Sequence, residues 1–283
     1  MDLRLQGKHV LITGGSKGIG LACAQAFLAE GANVSLVSRS EDNLAVAARQ
    51  LMGALTQSAQ SAQSAQPAQP QESGATARVR TFRADLKDAG AAAAALDEAE
   101  AQGGPVDILV NSAGAARRVG PDDLTPQSWH DAMDAKYFTY IHMIDPVVKR
   151  MGQRGSGVIV NVVGAGGKVA SPTHLSGGAA NAALMLVSAG LAAAYGAKGV
   201  RVNAVNPGLT LTERLKEGMA AEAKLQGISI DQAMSRANER LPLGRIARPQ
   251  EIADAVVFLA SDRASYISGA ILAMDGAVTP MVV

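Results

Sequence analysis

A short glycine-rich segment near the amino terminus has the residue types that bind phosphate. Residues 13–20 read TGGSKGIG and stand between an apolar stretch, HVLI, and an alanine-rich stretch typical of a helix. Gly14 permits a tight turn, Gly18 lets a pyrophosphate approach the backbone, and Gly20 lets the helix pack on the strand. The free N–H groups at the helix start then face the phosphates, together with the positive end of the helix dipole. The P-loop spacing GxxxxGKS or GxxxxGKT is absent, so the segment predicts a dinucleotide site.

A basic residue follows the second strand-like stretch, at the place that selects between dinucleotides. Arg39 lies 19 residues after Gly20. An acidic residue here would accept hydrogen bonds from ribose hydroxyls and repel a 2′-phosphate, whereas an arginine holds that phosphate. Lys17 adds a second cation nearby. The pattern favours NADP(H) over NAD(H), and the alternative is that both side chains are ordinary solvated surface cations.

The composition argues against several other kinds of site. The single cysteine, Cys23, forms no internal disulfide, and with four scattered histidines it offers no metal-ligand cluster. The 26 basic and 25 acidic residues balance, so no basic surface for nucleic acid or membrane is expected. The start MDLRLQGKHV lacks an apolar signal core, and no apolar run of about 18 residues marks a membrane span. These features predict a cytoplasmic protein with a small-molecule substrate.

Two kinds of segment alternate along the chain. Short β-branched stretches such as ANVSLVSR and GVIVNVVG are apolar almost throughout, as strands buried on both faces are. Longer Ala- and Leu-rich stretches such as GIGLACAQAFLAEGA are typical of helices. The alternation predicts an α/β fold, namely a doubly wound Rossmann-type parallel sheet of about seven strands flanked by helices. We expect one domain over residues 1–283, with the seventh strand near GAILAMDG.

Two segments have a predicted role outside this sheet. Residues 57–74 read QSAQSAQSAQPAQPQESG, a low-complexity stretch that buries too little apolar surface to offset its ordering entropy. We expect a disordered inserted loop there, or alternatively a tether that binds a partner. Residues 210–241 are expected to cap the substrate side as a mobile helical lid.

Several motifs together resemble those of the short-chain dehydrogenase/reductase family over nearly the whole chain. TGGSKGIG resembles its TGxxxGxG motif, NSAG its NNAG motif, and NPGLTLT its PGxxxT motif, while the region from RLPLGR to AMDG resembles its carboxyl-terminal subunit-contact region. The resemblance implies a homotetramer or homodimer. It implies cofactor contacts from Gly14, Ser16, Lys17, Gly18, Ile19, Gly20, Arg39, Asp85, Leu86, Asn111, Ala113, Gly114, Asn181, Pro207, Gly208 and Thr212.

The family's catalytic residues are absent from the corresponding positions. The family uses a tyrosine as proton donor, a lysine four residues later, a serine that polarises the carbonyl and an asparagine on the preceding helix. A gapless alignment from the family-like RVN at residues 201–203 places Asn181 at the lysine position. The tyrosine and serine positions are then Gly177 and Gly164, and Lys136 stands at the asparagine position. No tyrosine lies between residues 140 and 195, so no shifted YxxxK motif exists.

Three side chains are candidates to replace the missing groups. Lys136 and Asn181 are an exchange of the family's Asn and Lys, so Asn181 is expected to accept a hydrogen bond from a buried Lys136. Alternatively, Lys136 is a helix-surface lysine. His174 lies three residues before Gly177 and can donate a proton at neutral pH, or it is a loop or core histidine without a role. Tyr137 is expected to pack in the core or an interface.

The glycines of this region leave two interpretations open. Gly164 and the pairs 166–167 and 177–178 either enlarge the substrate pocket or record the erosion of an unused site. The first interpretation gives an NADP(H)-dependent oxidoreductase that transfers hydride between the cofactor and a carbonyl or alcohol with non-standard residues. The second gives an NADP(H)-binding pseudoenzyme, a sensor or non-catalytic subunit. Retention of Pro207, Gly208 and Thr212 at the nicotinamide end favours the oxidoreductase.

Overall fold

The computed structural model of the chain describes residues 1–65, 77–114 and 116–280. Within them, seven strands form one sheet in the order β3-β2-β1-β4-β5-β6-β7, and every neighbouring pair is parallel. The strands are β1 His9–Thr13, β2 Asn33–Ser38, β3 Val79–Arg83, β4 Ile108–Asn111, β5 Gly157–Val162, β6 Val200–Pro207 and β7 Ile271–Met274. The predicted doubly wound parallel sheet in a single domain is confirmed.

Helices connect the strands and cover both faces of the sheet. They are α1 Gly18–Ala29, α2 Glu41–Ala65, α3 Ala89–Gly103, α4 Pro126–Ala132, α5 Thr139–Arg154, α6 Leu175–Tyr195, α7 Glu213–Gln226, α8 Ile230–Glu239 and α9 Pro249–Ala260. A π-helical turn, Met133–Phe138, lies between α4 and α5. Phe27 and Val256 belong to the core on one face, and Leu96, Met143 and Leu184 to the core on the other. The central strands β1 and β4 are buried at every position because both of their faces are covered, whereas the edge strands β3 and β7 are partly exposed.

The strand order reverses beside β1, which has β2 on one side and β4 on the other. In an open α/β sheet the loops after the two strands at such a reversal diverge to opposite faces. The crevice between them is the usual place for a ligand. The site is therefore expected at the carboxyl ends of β1 and β4, continued by the loops after β5 and β6.

The structure corrects the predicted extent of the low-complexity loop. Helix α2 runs to Ala65, so residues 57–65 are helical rather than disordered. Alanine and glutamine are good helix formers, and the first proline comes only at Pro67. A helix already anchored through Leu44 and Leu51 in the core therefore continues into the repeat. Residues 66–74 lie outside the described residues.

One helix departs from the expectation that no segment has the length and apolarity of a membrane span. Residues 172–198, which include α6, contain an 18-residue window with a mean hydropathy of 1.5 that meets that criterion. Length and composition are the whole basis of this observation. In the fold α6 packs on one face of the sheet, with Leu184 fully buried and Leu186 exposed.

Helices α7 and α8 occupy the segment for which a lid is predicted. Thr212 precedes α7 and caps it, since its Oγ1 accepts a hydrogen bond from the N–H of Leu215 at 3.3 Å. Ser229 caps α8 in the same way through the N–H of Gln232 at 3.1 Å. The predicted helical character is present, and the mobility of the segment stays a prediction.

Candidate functional site

The glycine-rich turn joins β1 to α1 at the carboxyl edge of the sheet. Gly14 and Gly18 have φ values of +66° and +56°, in the left-handed region that glycine adopts without strain. A Cβ at Gly20 would overlap the carbonyl oxygen of Gly14. The helix therefore packs this closely on the turn only when residue 20 is a glycine. No side chain caps the first N–H groups of α1, and its first turn holds no acidic residue. The amino end of α1 is therefore open to an anionic group.

Two cations stand beside this turn. Arg39 follows the last residue of β2 and is exposed, and Lys17 precedes α1 and is exposed as well. Ser16 Oγ donates to Ser38 Oγ at 3.0 Å, which ties the turn to the end of β2. Neither cation has an ion-pair partner in the part of the chain that the structure describes. Both are therefore available to a ligand phosphate.

The next predicted contacts lie at the end of β3. Asp85 is exposed, and its Oδ1 accepts from the backbone N–H of Lys87 at 3.1 Å. Leu86 is buried, and its carbonyl oxygen accepts from His142 Nδ1 at 2.9 Å. Asp85 can thus reach a ligand through its second carboxylate oxygen, whereas Leu86 offers mainly apolar surface.

Asn111 was predicted to bind the cofactor, but its side chain is fully buried in the sheet. Its Nδ2 donates to Asn161 Oδ1 at 3.0 Å, and its Oδ1 accepts from Thr13 Oγ1 at 3.2 Å. Asn161 continues the network to Ser188 Oγ on α6 at 2.9 Å. The amide therefore joins β1, β4 and β5 and stabilises the floor of the site. Both ends of the amide thus have a partner within the protein, and the contact of Asn111 with the cofactor stays a prediction.

The loop after β4 brings the π-helical turn close to the sheet. Thr13 Oγ1 accepts from the N–H of Ala113 at 3.3 Å, and Gly114 follows with φ +84°. A Cβ at Gly114 would overlap the carbonyl oxygen of Ala135, and it would lie 2.8 Å from Thr139 Oγ1. Glycine at 114 therefore allows the π-helical turn to approach the loop after β4. That turn carries Lys136, the residue after Ala135. π-Helical turns of this kind are frequent at functional sites.

Lys136 is a buried lysine at the carboxyl end of β5. Only 8% of the residue is exposed, which decides against the helix-surface alternative. Its Nζ donates to Tyr140 Oη at 2.8 Å and to the carbonyl oxygen of Val162 at 3.1 Å. Burial and, to a smaller extent, the charge of Arg214 together lower the pKa of Lys136 to about 7. The side chain of Lys136 is therefore present both as the ammonium and as the neutral amine near neutral pH.

The predicted hydrogen bond from Lys136 to Asn181 is not formed. The lysine donates instead to Tyr140, one helical turn away, and to the carbonyl oxygen of Val162 at the end of β5. The Oδ1 of Asn181 is buried and has no hydrogen-bond partner among the described residues. An unpartnered buried acceptor is costly unless a ligand donates to it. Asn181 is thus suited to accept a hydrogen bond from a ligand hydroxyl.

Tyr140 is part of the site, and sequence reasoning did not find it. It is fully buried, its Oη donates to the carbonyl oxygen of Val162 at 2.5 Å, and Lys136 Nζ lies 4.4 Å from its ring centroid. Burial raises the pKa of the phenol, so Tyr140 stays protonated. The spacing of four residues from Lys136 places the two on one helix face and was the signal available. The phenol fixes the lysine in place.

His174 occupies the space beside Gly177. A Cβ at Gly177 would overlap His174 Cε1 and would lie 2.6 Å from its Nε2, and a Cβ at Gly166 would lie 3.1 Å from its Cδ2. The imidazole is partly exposed, and its Nδ1 is buried without a hydrogen-bond partner among the described residues. The glycines at 166 and 177 therefore accommodate this ring. The His174 ring fills the space that side chains at these two positions would occupy.

The motif at the nicotinamide end lies over the glycine turn. Pro207 ends β6, and Asn206 Oδ1 accepts from the backbone N–H of Gly164 at 3.0 Å, joining the loops after β5 and β6. A Cβ at Gly18 would lie 3.3 Å from Thr212 Cγ2, so the start of α7 contacts the phosphate turn. Thr212 accepts with its hydroxyl oxygen as a helix cap, and its O–H hydrogen is left to donate to a ligand.

The chain is similar to known proteins over nearly its whole length. A family model described as enoyl-(acyl carrier protein) reductase matches residues 14–279. The D-threitol dehydrogenase of Mycolicibacterium smegmatis is 36% identical over 98% of this chain and 95% of its own. The galactitol 2-dehydrogenase (L-tagatose-forming) of Cereibacter sphaeroides is 35% identical over 98% and 96%. The chain belongs to the short-chain dehydrogenase/reductase family.

A solved member of the short-chain dehydrogenase/reductase family has the same fold over its whole length. The L-sorbose reductase of Gluconobacter frateurii, determined with NADPH and L-sorbose, superposes with a TM-score of 0.87. It is 29% identical, and the match covers 100% of both chains. The protein is thus an oxidoreductase-family member by sequence and by fold.

The family's serine and tyrosine positions now have a structural description. Gly164 has φ +130°, a backbone conformation that residues with a side chain rarely adopt, so a serine there would be strained. Gly177 is filled by the imidazole of His174. The pair Tyr195 and Lys198, by contrast, lies at the amino end of β6, where Lys198 Nζ is 4.9 Å from the tyrosine ring centroid. That pair is on the opposite edge of the sheet from the site.

Proposed function

We propose that this protein is an NADP(H)-dependent oxidoreductase that interconverts an alcohol and a carbonyl compound, with His174, Lys136 and Asn181 in place of the usual catalytic residues. The observation that carries the proposal is the His174 ring, which takes the volume of the missing side chain at Gly177. A titratable nitrogen, Nε2 of His174, thereby lies 2.6 Å from the Cβ position of residue 177, at which the family has its tyrosine. Two of the relatives are named for polyols, which favours a polyhydroxylated alcohol or ketone as substrate.

The electrostatics of His174 suit a proton acceptor. Burial lowers its pKa, and the neighbouring cations Arg118, Arg214 and Lys136 lower it further. The neutral imidazole therefore predominates at neutral pH and can take the hydroxyl proton of an alcohol. Bound nicotinamide cofactor supplies the acceptor for the hydride that leaves the same carbon. In the reverse direction the imidazolium returns the proton to the carbonyl oxygen.

Lys136 and Asn181 support this proton transfer in different ways. The Lys136 ammonium, with Tyr140 and Val162 as acceptors, places a positive charge close enough to His174 to affect its pKa. That charge stabilises an alkoxide as the hydroxyl proton is lost. The unpartnered Oδ1 of Asn181 accepts from a ribose hydroxyl of the cofactor, as the family's lysine position contacts that ribose.

The residues of the phosphate end fit NADP(H). The uncapped start of α1 receives the pyrophosphate, and the glycines of residues 14–20 allow its close approach. Arg39 and Lys17, both without a carboxylate partner, hold the 2′-phosphate, and Asp85 contacts the adenine. The O–H of Thr212 donates to the nicotinamide carboxamide. Helices α7 and α8 close over the substrate as a lid.

The cofactor preference is tested by charge reversal at Arg39. Arg39→Asp is expected to raise the Kd of NADPH roughly tenfold to a hundredfold, since hydrogen bonds to a charged group contribute about 1.5–3 kcal/mol. The Kd of NADH should stay the same or fall. Arg49→Asp, an exposed change on α2, is the matched control and should alter neither Kd. Equal loss of NADH and NADPH affinity would contradict the assignment of Arg39.

The activity is tested with NADP⁺ over a panel of polyols and with NADPH over ketoses, aldehydes, quinones and enones. We expect turnover by the native protein and a fall in kcat/KM of about 10²–10⁴ in His174→Asn, with the Kd of NADPH unchanged. His130→Asn, on the exposed side of α4, is the control. Lys136→Met should lose turnover and shift the remaining pH profile upward, since a cation near His174 is removed.

Two results would overturn the proposal. Full turnover in His174→Asn would exclude the histidine as the proton acceptor. Tight NADPH binding by the native protein without turnover of any compound in the panel would leave a cofactor-binding protein without hydride transfer.

A further inference from the structure

Two arginines reach the substrate side of the site from different loops. Arg214, in the first turn of α7, donates through one guanidinium nitrogen to the carbonyl oxygen of Ala116 at 3.2 Å. Ala116 in turn lies against the start of α6, where a Cβ at Gly177 would be 2.8 Å from its own Cβ. The Arg214 guanidinium is therefore separated from the His174 and Gly177 pair by a single residue.

Arg118 approaches His174 from the other side. Its guanidinium donates to Thr173 Oγ1 at 3.3 Å, and the N–H of Val119 donates to the carbonyl oxygen of Thr173 at 3.1 Å. Thr173 is the residue directly before His174. The loop after β4 thus carries Arg118 alongside the segment that presents the imidazole.

Both arginines keep most of their hydrogen-bonding capacity. Each guanidinium has five N–H donors, and in the described residues each makes one hydrogen bond, to a neutral oxygen. Neither forms an ion pair within residues 1–65, 77–114 and 116–280. Glu217, one turn along α7, is the one carboxylate that raises the pKa of Arg214, whereas Arg118 lowers it.

The charges around His174 are all of one sign. Arg118, Arg214 and Lys136 each lower the pKa of the imidazole, and no carboxylate raises it. The buried Lys136 likewise has a cation, Arg214, as the charged group that affects it. In the part of the chain that the structure describes, three cations therefore lie near His174 without an ion-pair partner, and the buried Nδ1 of His174 has no hydrogen-bond partner. Such a cluster costs folding free energy unless an anion joins it.

We propose that Arg118 and Arg214 bind an acidic group of the substrate, so that the substrate is a hydroxy acid and its product the corresponding keto acid. The inference rests on the proposed function and names the substrate class of that same site. The planar guanidinium forks suit a carboxylate, a sulfonate or a phosphate equally in geometry. The acidic group lies between the arginines while the hydroxyl to be oxidised faces His174.

The first experiment compares matched neutral and acidic compounds. Calorimetric titrations of the NADPH-bound protein, which cannot oxidise an alcohol, give Kd for D-threitol and for D-threonate. We expect D-threonate to bind at least tenfold more tightly. Glycerol, glycerate, 2,3-dihydroxypropanesulfonate and glycerol 3-phosphate form a second series that separates carboxylate, sulfonate and phosphate as the acidic group.

The second experiment removes the charges one at a time. Arg118→Gln and Arg214→Gln are each expected to raise the Kd of the favoured anion roughly tenfold to a hundredfold, as loss of hydrogen bonds to a charged group does. The Kd of NADPH and that of D-threitol should change less than twofold. Lys216→Gln is the control, because it removes an exposed charge on α7 that is paired with Glu213 at 2.8 Å. Weaker anion binding at higher salt is also expected.

Three outcomes would overturn the inference. D-threitol binding as tightly as every acid would exclude an anion subsite. Loss of NADPH affinity in Arg214→Gln without loss of anion affinity would assign that arginine to the cofactor. Equal losses for neutral and acidic compounds would indicate a structural role. These titrations need no turnover, so they test the anion subsite alone. The oxidation assay tests the proposed activity, and the two proposals can therefore fail independently.

Discussion

His174 and Gly177 lie at the amino end of α6, and the imidazole of the first occupies the volume into which a side chain of the second would extend. A side chain at position 177 and the His174 ring in its present position therefore exclude each other. The side chain that titrates is thus three residues earlier in the chain, and its ring lies against the Cβ position of residue 177.

Gly177→Ala tests this coupling. A Cβ at 177 overlaps the His174 ring, and the neighbouring Ala116 leaves no other space, so the ring must leave its position. We expect alcohol oxidation to fall at least tenfold and the free energy of unfolding to decrease by about 1–3 kcal/mol, as overpacking does. The measurements are kcat/KM and urea denaturation. Gly53→Ala, where a Cβ meets nothing within 4 Å, should be neutral or stabilising. Unchanged kinetics in Gly177→Ala would contradict the arrangement.

Lys136 makes the stability of the protein depend on pH. Its pKa is about 7 in the folded protein and 10.5 for an ordinary lysine. Between these values the unfolded chain binds more protons than the folded one, so the free energy of unfolding rises with pH, by up to about 1.4 kcal/mol per pH unit. Below pH 7 this contribution no longer changes.

Lys136→Met is expected to remove this rise. Urea denaturation at intervals from pH 6 to 10 gives the slope for the native protein and the variant. Lys216→Met, which removes an exposed lysine of α7, should keep the native slope. A native protein whose stability is flat or falls between pH 7 and 10 would show that the Lys136 ammonium is not destabilised by burial.

At the scale of elements, the glycines after β5 bring α6 against the loop that precedes it. A Cβ at Gly178 would lie 2.7 Å from the carbonyl oxygen of Gly166, and a Cβ at Gly167 would lie 2.7 Å from the backbone nitrogen of Ala182. The sequence left a choice between an enlarged pocket and an eroded site. Close packing of α6 on this loop is the structural use of these three glycines.

The predictable part of the fold is the part that local patterns determine. The central strands β1, β4 and β5 follow from apolar runs buried on both faces, and the TGGSKGIG turn follows from glycines beside a helix start. The partners of Lys136 did not follow, because Val162 is 26 residues away and meets it only through the packing of α5 on the sheet. The contact between His174 and Gly177 depends likewise on the path of the loop before α6.

Residues 57–65 show the opposite limitation. Their Ala-Gln-Ser repeat lacks core positions, which predicted a disordered loop. Helical propensity extends α2 through them because the preceding turns are already anchored in the core. Context within one helix, rather than a distant contact, decided their structure.

The carboxyl end of α9 depends on an arginine of β6. The Arg201 guanidinium donates to the carbonyl oxygens of Leu259 at 2.8 Å, Ile267 at 3.2 Å and Ser261 at 3.0 Å. Carbonyls at a helix end have no partner within the helix, so the arginine caps α9 and joins it to β6. The sequence segment RVN thus contributes to the packing of two elements.

Arg201→Gln is expected to lower the free energy of unfolding by about 1.5–3 kcal/mol, the size of hydrogen bonds to a charged group. Urea denaturation measures it, and the Kd of NADPH should be unchanged because the cap lies away from the carboxyl edge of β6. Arg263→Gln removes an exposed guanidinium that donates to the carbonyl of Asp2 at 2.7 Å, and should cost less than about 0.5 kcal/mol. Equal costs for the two variants would contradict a capping role.

At the scale of the whole molecule, α6 presents an apolar stripe to the exterior. Its exposed positions include Ala179, Ala182, Leu186, Ala189 and Ala193, and Leu186 is 76% exposed. The sequence of α6 contains no charged residue. A second copy of the chain can therefore pack its α6 on this stripe in antiparallel fashion without like-charge repulsion, and the small residues allow close approach. The homodimer or homotetramer stays a prediction, and this stripe is the surface at which it can be tested.

Leu186→Glu is expected to lower the oligomeric state, because it places a carboxylate at the centre of an interface between two identical helices. Sedimentation velocity should give a dimer or tetramer for the native protein and a smaller species for the variant. Met52→Glu, at a 48% exposed site on α2, is the control and should sediment as the native protein does. A native monomer would contradict assembly altogether. An unchanged oligomer in Leu186→Glu would place the interface on another surface. Since α6 also carries Asn181 on its buried side, dissociation that lowers kcat/KM would show that assembly holds this helix in its functional position.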